Sequence, residues 1–301
     1  MLIAIARRLA EAGVVLTMVS IAVFAMTEAA PGRFLSELQA NPRISPQTIA
    51  LLEARYKLDA PVHERYLAWA ASAITGDFGY SALYQIPVSE VLWPRLLNTV
   101  RLAVLAMMLA WLIAVPAGVW SGLRANGIFD RTTAIVSSLL LATPDVVAGL
   151  AVVWIATSTG WLQIGAIILP AAALSAVTAP VVFRHTRAAV VDAAASRAVI
   201  AARLHGLPAR TVTLRHVLPL AAVPLVPLFA LSVASLLSAS LLIEVIVAWP
   251  GLGPLMLDAV LGRDLHLLVA SAVVSAGLLV VATIGSDVLL RVIDPRVRSA
   301  S

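Results

Sequence analysis

Three residue patterns in this chain have chemical consequences. Asp145 follows Pro144 within an otherwise apolar run at 133–157. An ionised carboxylate in hydrocarbon is costly, so it must line a polar path, pair with a partner across an interface, or be neutralised by a proton. The second pattern is Ala201-Ala202, three residues, Gly206-Leu207, nine residues from Leu207 to Arg215, then His216-Val217-Leu218-Pro219. It reads as an alanine-rich helix ending at Leu204-His205, a break at Gly206, and a second helix with Pro208 in its first turn. The third is Glu244 followed by Trp249-Pro250-Gly251-Leu252-Gly253. It fits either a re-entrant turn with a gating or contact role or an interfacial aromatic anchor on a tight turn.

None of these patterns makes or breaks bonds. There is no nucleophile–base–acid set, no pair of carboxylates in an apolar stretch, and no Gly-x4-Gly-Lys-[Ser/Thr] phosphate loop; the sole lysine is Lys57. Cysteine is absent, which removes thiolate chemistry. His185, His205 and His216 share one basic segment while His63 and His266 stand alone, so no metal-ligand set is expected. The expected catalytic residues are none and the expected metal sites are none.

The elements that must position these residues follow from hydropathy. Hydrophobic residues make up 61% of the 301 positions and charged residues 12%, with a mean hydropathy of +0.97. A soluble domain could not cover that much apolar surface, so the solvent is lipid. A span needs roughly 20 mostly apolar residues, and six stretches qualify, at 9–27, 102–121, 133–157, 161–183, 221–243 and 267–290. The expectation is an all-α polytopic membrane protein with six transmembrane helices and both termini on one side. Asp145 would then lie about twelve residues into the third span, near the bilayer midplane at ~1.5 Å per residue.

The placement of arginine orients the chain. Thirteen of the 21 basic residues fall on one side: in the leader at 1–8, the loop at 122–132, the loop at 184–220 and the tail at 291–301. The positive-inside bias makes these segments, and hence both termini, cytoplasmic. Residues 28–101 form an extracytoplasmic cap region with helix-like text from Pro61 to Ile74 and a turn at Gly76-Asp77-Phe78-Gly79. A short outer loop at 158–160 and a longer one at 244–266 complete the topology. Residues 1–30 read as a first span rather than a cleavable signal, because no small-x-small site follows Phe24 and the later spans need it for parity.

Several smaller features point to helix packing. Ser232, Ser235 and Ser238 recur along the fifth span, and Gly118-x3-Gly122 reads as a helix-contact face. Asp287, near Arg291, reads as a paired or interfacial acid. No internal repeat is detectable, which weakens an inverted-repeat carrier.

The 184–219 spacing resembles the signature loop of ABC importer permeases, which runs Glu-Ala-Ala, three residues, Gly, nine residues, Ile-x-Leu-Pro. Ile200 and His216 depart from that text, but Arg203, Gly206-Leu207 and His216 are similar to the branch of the family that carries dipeptides, oligopeptides and nickel. The same branch is resembled from residue 2 to residue 298. The matching text includes Arg7-Arg8, Leu58-Asp59-x-Pro61, Tyr66-Leu67-x-Trp69, Gly76-Asp77-Phe78-Gly79-x-Ser81, Ile168-Leu169-Pro170, Glu244-x3-Ala248-Trp249-Pro250-Gly251-Leu252-Gly253, Arg263-Asp264 and Asp294-Pro295-Arg296-Val297-Arg298.

The resemblance implies the type I ABC importer permease fold in a bacterial cytoplasmic (inner) membrane. It implies a second homologous permease subunit, two nucleotide-binding ATPase subunits and an extracytoplasmic solute-binding protein. ATP and Mg would be bound by the partner subunits, with no cofactor in this chain and no nucleic-acid partner. Ala201, Ala202, Arg203, Gly206, Leu207, His216 and Pro219 become the ATPase-coupling residues, and Asp145 a candidate for the translocation path. Glu244, Trp249, Pro250, Gly251 and Gly253 become candidates for an outer gate or binding-protein contact. The expected cargo is di- or oligopeptides, with nickel or a metal–metallophore chelate as the alternative; the text Ala202-Arg203-Leu204-His205-Gly206-Leu207 is closer to nickel-type members. A gradient-driven secondary carrier is the competing reading of another class.

Overall fold

The computed structural model describes residues 2–29, 60–160 and 167–293, and among them the regular elements are helical apart from an isolated bridge between Tyr80 and Pro87. The helices are α1 (Leu2–Ala29), α2 (Val62–Ile74), α3 (Val88–Leu123), α4 (Ile128–Ala142), α5 (Asp145–Thr159) and α6 (Ile168–Ala194). They continue with α7 (Arg197–Leu204), α8 (Ala209–Val212), α9 (Leu218–Ala222), α10 (Leu225–Ile246), α11 (Leu252–Leu261) and α12 (Leu265–Ile293). Five helices are long and apolar enough to cross a membrane, or six if the bent pair α4 and α5 counts as one span. In lipid every backbone polar group must be satisfied within the chain, and continuous helices do this.

Most helices reach beyond the apolar stretches that announce them. The second stretch, expected at 102–121, belongs to a helix that begins at Val88, and the fourth, expected at 161–183, belongs to one that begins at Ile168 and runs on to Ala194. Hydropathy marks lipid thickness, whereas helix length also includes polar turns outside it. The expected outer loop at 158–160 holds only the end of α5, and residues 161–166 are outside the described residues.

The third stretch differs more. Residues 133–157, expected as one straight span, form α4 and α5, bent by 114°. Thr143 is extended at φ −87° and ψ 128°, and Pro144 follows. Proline has no N–H for the helical ladder and pushes its predecessor out of the helical region, so the chain turns there.

The chain divides into two compact units, Met1–Asn98 with Pro250–Val280, and Thr99–Trp249 with Val281–Ser301. In the first unit α2 packs on α1. Phe24 and Tyr66 meet edge to face at 5.5 Å, the Ser20 and Tyr66 hydroxyls lie 2.9 Å apart, and Arg65 pairs with Glu28 at 2.8 Å. The buried Trp69 indole donates to the Phe78 carbonyl at 3.2 Å, and Gly76 and Gly79 both take φ +87°, as the expected turn requires.

Asp264 organises the corner between α11 and α12. One oxygen caps α12 by accepting from Leu267 N at 3.1 Å, and the other accepts from the Ser81 hydroxyl at 2.6 Å and from Leu83 N at 3.0 Å. Nearby, Tyr84 donates to Asp258 at 2.9 Å; burial, reinforced by this hydrogen bond and the charge of Asp258, raises the phenol above its usual range.

In the second unit α6 packs against α4, α5, α9 and α10. Its core includes Leu102, Ala106, Leu169, Leu174, Leu236 and Ile243. Gly118 and Gly122 let α3 approach α6 closely. A Cβ at Gly118 would stand 2.7 Å from Thr186 Cβ and 2.9 Å from Phe183 O, and one at Gly122 would stand 2.7 Å from Val190 Cβ and 2.9 Å from Arg187 O. The expected serine face on α10 divides: Ser232 is buried, while Ser235 and Ser238 are exposed. Three residues fall short of a full turn of 3.6, so a three-residue repeat drifts around the helix.

Candidate functional site

The coupling segment is built by punctuation. Ser196 caps α7, its hydroxyl accepting from Val199 N at 3.4 Å. At the other end Gly206 takes φ +76°, with Gly206 N bonded to Arg203 O at 2.9 Å and Leu207 N to Ala202 O at 3.3 Å. This pair of reversed bonds is a Schellman close, and the left-handed residue it needs is the glycine. Pro208, at φ −57° and ψ 140°, then opens α8.

Between α8 and α9 lies a π-helical turn, Thr213–Val217, in which Leu218 N bonds to Thr213 O five residues back. The wider turn accommodates Pro219, which has no N–H to offer the Arg215 carbonyl and whose ring would crowd it in an α-helix. It holds Arg215 and His216.

The segment has two faces. Val199, Ala202, Val212, Val217 and Ala221 turn inward onto Ala189, Val190 and Ala193 of α6, with Val119 of α3 alongside. Ile200, Leu204, Leu207 and Leu214 point outward, Leu204 at 83% exposure. Among the expected coupling residues, Ala201, Arg203, Gly206, Leu207 and Pro219 are exposed, His216 is half-buried and Ala202 is buried. Arg197, Arg203, Arg210 and Arg215 are also exposed, so the segment offers both apolar and basic side chains to its surroundings.

Asp145 is the first residue of α5, exposed, just after the bend at Pro144. It therefore occupies a helix N-terminus, where the backbone dipole favours a carboxylate, and not the middle of a straight span. Among the described residues no group of three or more His, Cys, Asp or Glu could hold a metal.

The third pattern has a different construction from the one its text suggests. Glu244 is wholly buried near the end of α10. Its carbonyl accepts from Trp249 N at 2.8 Å, and Ala248 sits at φ +54° where glycine is the usual choice. Beyond it, Gly251 and Gly253 are buried, Pro250 is exposed, and Asn98 donates to the Pro250 carbonyl at 2.9 Å.

Sequence reasoning missed Asp130. Its carboxylate, with a side chain 3% exposed, accepts from Arg187 Nε at 2.5 Å and Nη2 at 2.7 Å, from Asn126 N at 2.8 Å, and from the Ser121 hydroxyl. The only signal in the sequence was an acid in a loop that the arginine bias made basic.

Residues 114–299 match the family described as the binding-protein-dependent transport system inner membrane component, and the chain belongs to that family of ABC importer permeases. The oligopeptide transport system permease protein AppB of Bacillus subtilis is 31% identical over 297 residues, covering 93% of this chain and 94% of the relative. The dipeptide transport system permease protein DppB of Lactococcus lactis is 30% identical, covering 91% and 92% respectively. The glutathione transport system permease protein GsiC of Escherichia coli is 30% identical, covering 94% of each.

Two solved structures share the fold. The inward-facing MetNI methionine ABC transporter matches with a TM-score of 0.60 at 17% identity over 68% of this chain and 96% of that one. An amino acid ABC transporter matches with a TM-score of 0.55 at 20% identity over 69% and 94%.

Proposed function

We propose that this chain passes di- or oligopeptides across the cytoplasmic membrane by alternating access, powered by ATPase subunits docked on residues 184–219. The observation that carries the reading is the sidedness of the coupling segment. Its inner face is packed into α6, and Ile200, Leu204, Leu207 and Leu214 on its outer face are exposed among the described residues. A helix pair so supported can transmit a push, and its exposed apolar and arginine side chains suit a partner cleft that is apolar and acidic. ATP and Mg belong to those partners. A second permease and an extracytoplasmic binding protein complete the assembly, with both termini of this chain cytoplasmic by the arginine bias.

Peptide cargo is supported by the relatives, which are named for oligopeptide, dipeptide and glutathione transport. Asp145, at the bend between α4 and α5, is assigned to the translocation path, where it favours cargo with a cationic group such as a peptide amino terminus. The corner at 244–253 is assigned to the outer mouth.

The test is Leu204→Asp in the reconstituted complex. A charge at the most exposed apolar residue of the outer face should release the ATPase subunits from the purified permease pair and abolish ATP-dependent uptake, while the permeases still insert and pair. Wild-type ATPase capture and uptake would sink the docking role.

A further inference from the structure

We propose that Asp130 and Arg187 form a clasp that passes displacement of the coupling segment from α6 to α3 and α4, making them positioning residues for transport. The inference rests on the docking reading above and adds the route by which the push leaves the docking pair.

The geometry is that of a four-way tie. Asp130 lies in the first turn of α4 and Arg187 lies on α6, ten residues before α7 begins. The guanidinium meets the carboxylate as a two-pronged fork, Nε to one oxygen at 2.5 Å and Nη2 to the other at 2.7 Å. The two remaining acceptor positions take the Ser121 hydroxyl, from the last turn of α3, and the Asn126 backbone N–H at 2.8 Å, from the turn joining α3 to α4. One carboxylate therefore joins α3, the intervening turn, α4 and α6.

The packing around the tie makes the same connection. Gly118 and Gly122 bring the α3 backbone against Phe183, Thr186, Arg187 and Val190 of α6 with no room for a side chain. Val119 joins the cluster of Val190, Val199, Ala202, Val212 and Val217, which includes the inner face of the docking pair. Beyond the clasp α4 ends at the Pro144 bend, and α5 meets the joint through its packing on α6.

Asp130 is buried and Arg187 partly exposed, and an ion pair of this kind contributes little stability compared with well-packed apolar residues of the same size. What a forked pair supplies is a fixed relative position, because the planar guanidinium meets both oxygens in one orientation. That property suits a joint that must move as a unit.

The experiment uses the complete complex in proteoliposomes with a cognate peptide, and reads solute imported per ATP hydrolysed, ATPase retention and thermal stability. Asp130→Asn, Arg187→Gln and the double variant should each retain bound ATPase yet import about tenfold less solute per ATP, and the double variant should be no worse than either single one. Arg187→Lys keeps the charge and loses the fork, so it should assemble and still lose several-fold in the same ratio. A wild-type ratio in any assembled variant overturns the proposal. So does lowered stability with the ratio unchanged, or failure of every variant to assemble, since each outcome would make the pair structural only. Failure of the docking reading is separately visible, as wild-type ATPase capture and uptake in Leu204→Asp.

Discussion

Replacing Gly206 tests whether the coupling corner acts through its conformation. The residue sits at φ +76°, and a Cβ built there would have nothing within 4 Å, so a side chain meets no wall and any penalty comes from the backbone alone. An L-residue in the left-handed region loses roughly 1–2 kcal/mol, asparagine less than alanine because it tolerates that region, and β-branched valine the most. That loss opposes the two reversed hydrogen bonds to Arg203 O and Ala202 O that set the angle between α7 and α8. A penalty of about 1–2 kcal/mol lowers the population of the closed corner by a factor of about 5–30. ATPase retention at limiting partner concentration, and uptake in vesicles, should therefore fall in the order Gly, Asn, Ala, Val. Bulk alone would place Ala before Asn. An alanine variant at wild-type level beside an impaired asparagine variant would refute the conformational account, and so would equal activity across the series.

Two further outcomes are expected. Asp264→Ala removes the cap of α12 and leaves the Ser81 hydroxyl and Leu83 N without their acceptor, so the purified chain should lose about 2–4 kcal/mol of stability; an unchanged thermal-unfolding midpoint would contradict that account of the corner. Asp145→Asn should weaken uptake of peptides with a free amino terminus more than that of amino-blocked ones, and unchanged transport kinetics for both would remove Asp145 from the path.

Much of the coupling segment was legible in one dimension because glycine and proline act locally. Gly206 ends α7 in the left-handed region and Pro208 opens α8, as their positions in the chain predict. Pro144 carried the same kind of information, yet the apolar run around it reads as a single span, since hydropathy records affinity for lipid and not direction. The π-helical turn ahead of Pro219 was hidden for a related reason: the residue that forces it lies outside it, and the excess length is absorbed upstream.

Amino-acid order alone determined that the chain carries membrane-spanning helices and that a glycine-cornered helix pair lies between two of them. These follow from composition, short spacings and backbone chemistry, all of which act over a few residues. Only the tertiary structure decided which face of that pair turns outward, that Glu244 is buried, that Gly118 and Gly122 seat α3 against α6, and that Asp130 closes on Arg187. Asp130 and Arg187 are 57 positions apart. Their meeting depends on how α3, α4 and α6 pack together, which no local pattern in the chain encodes.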